Sequence, residues 1–270
     1  MRDICYICNH KINQIGKIGK QLISKCSNCG FGITKKLKFQ QGHYHRDETY
    51  IEEEKLFKNI FQKRVNIISK FKKKGKVLEV GCSTGILLTL LKDKGWEVKG
   101  VEISETAANI AKEKEIDVLV KPFQEINIEE KFDLIIFNHT LEHLEYPKKV
   151  LEKARSMLNK NGLIYIDLPN FGGISAKNLG VWWPMLLPEE HLWHFTQDAL
   201  SKLLKDLGFK IVYMEKASGV WDYADPLGGI LYSLTHFKKR FFIEILTAIP
   251  SWIVTKLGIG SDLMVIARII

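Results

Sequence analysis

Short apolar runs alternate with helix-period stretches from Lys76 onward, and this alternation sets the expected architecture. The runs at 76–80, 97–101, 117–120, 132–137, 162–167, 209–215 and 262–269 are rich in Val, Ile, Leu and Phe. Near-continuous apolar strands of this kind suit a parallel sheet buried on both faces. Between them, 85–94, 104–114, 147–158 and 196–207 repeat apolar residues at intervals of three and four, the spacing of one helix face. Strand–helix alternation predicts an α/β fold with a mostly parallel sheet. Upstream, 49–74 predicts a further helix. Thr49 stands at its cap, Glu52, Glu53 and Glu54 in its first turn, and Lys72, Lys73 and Lys74 before Gly75. That charge order complements the helix macrodipole. Leu56, Ile60, Val65, Ile67, Ile68 and Phe71 supply its apolar face.

Residues 1–34 follow neither period. Cys5 and Cys8, then Cys26 and Cys29, form two C-x2-C knuckles separated by 17 residues of hairpin-like sequence. About 35 residues cannot bury enough core to fold unaided. Four thiolates at this spacing can close a tetrahedron around Zn²⁺, and with no open position the role is structural. The competing reading is four free thiols, and His10 is a spare ligand that four cysteines do not need. The expected domains are a zinc ribbon at 1–34, a linker and helix at 35–74, and a main domain at 75–270 with a helical insertion near 227–260.

Composition narrows the class only a little. The chain has 270 residues, 46% hydrophobic and 26% charged, which excludes disordered and collagen-like classes. Five cysteines are too few for a disulfide framework, and no apolar leader opens the chain, so a thiol-preserving cytoplasm is expected. The net charge of +9 is uneven: residues 1–75 hold 17 Lys/Arg against 6 Asp/Glu, and the remainder is close to neutral. A basic segment suits RNA, acidic lipid or a phosphorylated glycan carrier, although a solvated lysine surface explains it without a partner. Residues 227–260 are apolar but broken by Lys238, Lys239, Arg240, Glu244, Pro250 and Lys256. No stretch there reaches the ~20 apolar residues of a membrane span. Phe241, Phe242 and Trp252 beside the basic triplet suit peripheral contact at the inner membrane face; a helical pair over the substrate side is the plainer reading.

The most specific chemistry lies in Val77-Leu78-Glu79-Val80-Gly81-Cys82-Ser83-Thr84-Gly85. A buried strand runs into a glycine turn and then a helix, which lets backbone approach a ligand closely. Twenty-three residues after Glu79, a second strand ends at Glu102, where a carboxylate can accept both hydroxyls of a ribose. With its continuation through Gly100-Val101-Glu102-Ile103-Ser104, Phe132–Leu144 and Leu158–Asn170, the sequence resembles class I S-adenosylmethionine-dependent methyltransferases of the ubiquinone/glycan type, over roughly residues 75–215. The resemblance implies a Rossmann-like seven-stranded sheet. It assigns Glu79, Gly81, Ser83 and Gly85 to the cofactor turn and Glu102 with Ile103 to the ribose. It sets Phe123 near the adenine and Asn138 near the methionine portion. Ser83 departs from the family, whose usual G-x-G-x-G has glycine there. Phe123 also reads as core, and Asn138 as a turn cap.

Methyl transfer needs an in-line nucleophile, with a base only when the acceptor must lose a proton. Candidate bases fall in Glu142-His143 and in Pro188-Glu189-Glu190-His191-Leu192-Trp193-His194. Glu142-His143 also reads as a structural brace. The second cluster follows Trp182 and Trp183, as expected of a segment that covers a substrate. Zinc-ribbon sugar C-methyltransferases carry a similar Glu-His pair, which casts His191 as base and Glu190 as its orienting carboxylate; His191 and His194 read equally as hydrogen-bonding loop backbone. Tyr44 and Tyr50 are placed over the cofactor by the same likeness, and read equally as packing residues. The expected acceptor is a sugar, a glycan or a lipid-linked saccharide. Ribosomal RNA base methylation and a catalytically inactive cofactor-binding scaffold are the alternatives.

Overall fold

A computed structural model describes residues 4–35, 54–217 and 252–270. Thr49, Tyr44, Tyr50 and most of the 227–260 segment lie outside these residues. The N-terminal part forms β1 (Ile12–Ile18), β2 (Gln21–Cys26) and β3 (Gly32–Lys35). Helix α1 (Glu54–Phe71) follows, then β4 (Lys76–Val80), α2 (Ile86–Lys92), β5 (Glu97–Glu102), α3 (Glu105–Glu113) and β6 (Asp117–Val120). The chain continues through β7 (Phe132–Asn138), α4 (Pro147–Met157), β8 (Leu158–Pro169), the short α5 (Ile174–Leu179) and β9 (Trp193–His194). It closes with α6 (Gln197–Asp206), β10 (Phe209–Ala217), a helical turn at 252–256 and β11 (Asp262–Ile269).

All seven expected strands join one sheet, in the order β10-β11-β8-β7-β4-β5-β6. The β8-β7-β4-β5-β6 pairs are parallel, and β11 enters antiparallel to both β8 and β10. The apolar runs are continuous because alternate residues serve two cores. Leu78, Val80, Ile135, Phe137, Ile164 and Ile166 face one; Val77, Leu134, Ile136 and Tyr165 face the other. Helices α4 and α6 bury Val150, Leu151, Leu200 and Leu203 on the first face. Helices α1, α2 and α3 bury Val65, Ile68, Leu88 and Ala108 on the second. A period of two therefore lies hidden inside an apparently unpatterned run.

Two departures from the expected boundaries have physical causes. Strand β8 starts at Leu158, four residues early, because Leu158 still pairs with Phe132 before the register shifts across Asn159–Gly162. Strand β9 was not expected. It has two residues and no periodicity of its own, and forms because Trp193 and His194 add to Ile33 and Gly32 of β3. The resulting four-stranded sheet, β1-β2-β3-β9, ties the cysteine-bearing hairpin to the main domain. Cys5, Cys26, Cys29 and Phe31 share a core with Phe195 and α6. Thr196, the cap of α6, donates its hydroxyl to the Cys29 carbonyl at 2.6 Å.

Helix α1 is held to the sheet by a buried ion pair. Arg64 donates from Nε and Nη2 to Asp167 Oδ2 of β8, both at 2.7 Å, with the two residues 3% and 0% exposed. Tyr165 adds a hydroxyl donor to the same oxygen at 3.2 Å.

Candidate active site

Strand order reverses between β4 and β7, so their following loops diverge and leave a crevice, the usual ligand position in open α/β sheets. Phe61, Glu79, Gly81, Cys82, Ser83, Thr84, Ile86, Leu87 and Asn138 line it. The turn after β4 is left-handed at Gly81 (φ 75°), Ser83 (φ 46°) and Gly85 (φ 74°). A Cβ on Gly81 would stand 2.6 Å from Thr140 Oγ1, and one on Gly85 2.5 Å from Ile116 Cδ1. Both positions thus require glycine for conformation and for space. Ser83 adopts the same backbone region with a side chain, at a cost of about 1–2 kcal/mol.

Glu102 sets the shape of this turn. Its Oε2 accepts the Ser83 N–H at 2.8 Å, and its Oε1 accepts those of Ile103 and Ser104 at 2.7 and 2.9 Å. The sequence marked Glu102 as a ligand group only; its grip on the turn required the fold to be seen. Ile103 is exposed beside it. Glu79 is buried, and burial, helped by the Glu102 charge and opposed by Arg64, pushes its pKa well above the usual carboxylate range. Asn138 is buried at the crevice, and its Oδ1 has no hydrogen-bond partner among the described residues. Phe123 is buried edge-on against Phe137 at 5.9 Å.

Three histidines converge on Glu142 in the loop after β7. Its Oε1 lies 3.6 Å from His139 Nδ1 and 4.0 Å from both His143 Nε2 and His191 Nε2. Burial raises the Glu142 pKa, but the neighbouring His139, with His143 and His191 in their charged forms, outweighs it and brings it down to about 2. His191 is fixed from behind by the Met185 carbonyl at Nδ1, 3.0 Å away, and His143 by the Glu190 carbonyl at 3.2 Å. Glu142 thus faces the His191 ring at Nε2, and the Glu190 carbonyl supports His143. No spacing rule links residues 142 and 191; the Leu192 and Trp193 N–H groups, both donating to the Glu142 carbonyl, bring the segments together. His194 is not part of the convergence: it bonds Thr34 at 2.8 Å, and burial, reinforced by His191, lowers its pKa to about 3.

The four knuckle cysteines gather at the other end of the same segment. Cys5–Cys29, Cys8–Cys26 and Cys8–Cys29 sulfurs lie 3.6, 3.4 and 3.5 Å apart. A zinc tetrahedron with 2.3 Å bonds sets its sulfurs about 3.8 Å apart, so the four donors fit that ion. Backbone N–H groups of Ile7 and Asn28 point at Cys5 and Cys26 Sγ, both at 3.4 Å, and steady the sulfurs. The Cys29 thiol lowers the Cys5 pKa to about 5.

A family model described as a methyltransferase domain matches residues 52–214. The chain belongs to this methyltransferase family. An uncharacterized methyltransferase of Alkaliphilus oremlandii is 31% identical over 181 residues, 66% of this chain and 76% of that protein. A ubiquinone biosynthesis O-methyltransferase of Glaesserella parasuis is 30% identical over 107 residues, 35% of this chain and 45% of its own length. Among solved structures, the Burkholderia thailandensis 1,6-didemethyltoxoflavin-N1-methyltransferase, with its substrate and S-adenosylhomocysteine bound, superposes with TM-score 0.54 at 14% identity. That likeness covers 95% of this chain and 98% of the solved one, and shows the shared fold. This methyltransferase uses S-adenosylmethionine, and the crevice after β4 is the place its fold offers for the cofactor.

Proposed function

We propose that this methyltransferase acts on a small polar acceptor, a sugar, glycan or lipid-linked saccharide, held beneath the 171–195 segment. The observation that carries the reading is the convergence on Glu142, one loop beyond the cofactor crevice. A buried carboxylate ringed by histidines suits an acceptor hydroxyl that must lose its proton before attacking the sulfonium methyl. This favours an active enzyme over a scaffold. Trp182, 81% exposed, offers an apolar face for a sugar ring, and Lys25 with Lys177 supplies positive charge near Phe171 for a phosphorylated carrier. His191 is the residue best held for the proton, with Glu142 stabilising its cation. Gly81, Ser83 and Gly85 carry the cofactor by backbone, Glu102 the ribose, and Asn138 and Glu79 the methionine end. Cys5, Cys8, Cys26 and Cys29 hold a structural Zn²⁺, which keeps β3 in place beneath β9.

The test is methyl transfer from labelled cofactor to sugar nucleotides, polyprenyl-linked glycans and ribosomal RNA. Transfer to a saccharide, with His191→Ala lowering turnover about 10²–10⁴-fold at unchanged S-adenosylhomocysteine affinity, is the expected result. Transfer to RNA alone would overturn the acceptor assignment.

A further inference from the structure

Glu142 is 1% exposed, and neither of its carboxylate oxygens has a hydrogen-bond partner among the described residues. A buried, ionised carboxylate in that condition is costly unless a cation stands beside it. The protons on His143 and His191 do not fill the need. A carbonyl oxygen only accepts, so the bonds from Met185 and Glu190 place the single proton of neutral His191 and His143 on Nδ1. Each ring then presents its Nε2 lone pair toward Glu142 Oε1, at 4.0 Å. His139 is oriented the other way: Arg64 Nη2 stands 3.5 Å from its Nε2, which leaves Nδ1–H for the carboxylate.

Two imidazole nitrogens and one carboxylate oxygen, all within 4.8 Å of one another, make a donor set of the size a metal ion takes. Backbone carbonyls behind metal-binding histidines are the usual outer support that fixes the ring and its tautomer. We propose that Glu142, His143 and His191 bind one divalent transition-metal ion, a second site distinct from the four cysteines. Bonds of about 2.0–2.2 Å require the donors to draw in by roughly half an ångström each. Two nitrogens and one oxygen select ions such as Zn²⁺, Fe²⁺ or Co²⁺ over Ca²⁺ or Mg²⁺. Three protein ligands leave open positions, where an acceptor oxygen can bind and lose its proton to solvent more readily. This deepens the proposed acceptor chemistry and rests on it only in that last step. With an ion bound, the His191 lone pair is a ligand, and the ion replaces the ring as the group that activates the acceptor.

Cobalt separates the two sites by their spectra. The full-length protein, stripped of metal and reloaded with Co²⁺, is expected to hold about two ions per chain. The four-sulfur site gives intense thiolate charge-transfer bands, and the second site only weak visible bands without them. Glu142→Gln and, separately, His143→Ala should each bring the content to one ion per chain and leave the thiolate bands intact. S-adenosylhomocysteine binding reports whether each variant has folded. His143, 19% exposed at its side chain, is the safer substitution if the buried Glu142 variant misfolds. One Co²⁺ per chain in the native protein, or two that survive the His143 change, overturns the metal site. Loss of turnover in His191→Ala in a protein that binds one ion would keep the general-base reading and remove the metal. A second ion whose loss leaves turnover unchanged would keep the site and remove its catalytic part.

Discussion

Glu102 holds the turn after β4, and its substitution tests whether the same carboxylate also takes the ribose. Its three backbone N–H contacts hold Ser83 against the β5 end. Glu102→Ala is expected to weaken S-adenosylhomocysteine binding by about 1–3 kcal/mol, measured by calorimetry. Unchanged affinity would remove Glu102 from the ribose. Ser83 makes the converse point. Its φ of 46° is the one glycine takes freely, so Ser83→Gly should raise thermal stability slightly, by up to about 1 kcal/mol, and keep cofactor affinity. A large loss of affinity would instead show the hydroxyl, buried without a hydrogen-bond partner among the described residues, to be a cofactor ligand.

At the level of elements, the two-residue β9 carries more than its length suggests. His194 lies there with its pKa lowered to about 3 from 6.5, since burial disfavours the charged ring. The unfolded chain binds that proton below pH 6.5 and the folded one does not, so this group's penalty is absent above pH 6.5 and grows as the pH falls. The expected slope is up to about 1.4 kcal/mol per pH unit. His139, with its pKa raised, contributes in the opposite sense: stability present in acid is lost as pH rises through its folded value. Glu142 titrates lower, near 2, and matters little between pH 7 and 5. Urea denaturation over that window should therefore show a shallower pH slope for His194→Gln than for the native protein. Equal slopes would mean that β9 opens before the domain unfolds. Arg64 is the corresponding anchor of α1, and Arg64→Met should destabilise by about 3–5 kcal/mol by leaving Asp167 charged and unpaired. A loss below about 1 kcal/mol in chemical denaturation would show Asp167 to be paired elsewhere.

For the whole molecule, the consequence is that the cysteine hairpin is not a detachable tag. It shares a sheet with β9 and a core with α6, and β9 immediately follows His191. Replacing Cys26 with Ser should lower acceptor methylation more than tenfold. The crevice, built on β4 and β5, should keep its affinity for S-adenosylhomocysteine. Activity that survives the Cys26 change would separate the hairpin from the acceptor side.

The seven strands, the main helices, the glycine turn and the acid at the end of β5 were legible in the chain because each depends on local periodicity or fixed spacing. Gly81 and Gly85 are local in this sense, and so are the two C-x2-C knuckles. What depended on distant segments was not legible. Asp167 meets Arg64 across 103 positions, His194 meets Thr34 across 160, and His191 faces Glu142 only because the 171–195 segment folds back over β7. Adjacency in sequence suggested Glu190 as the carboxylate beside His191. Long-range packing also brings Glu142 to the Nε2 of that ring, because burial of the segment and its backbone bonds, and not only nearness along the chain, decide which charges share a site.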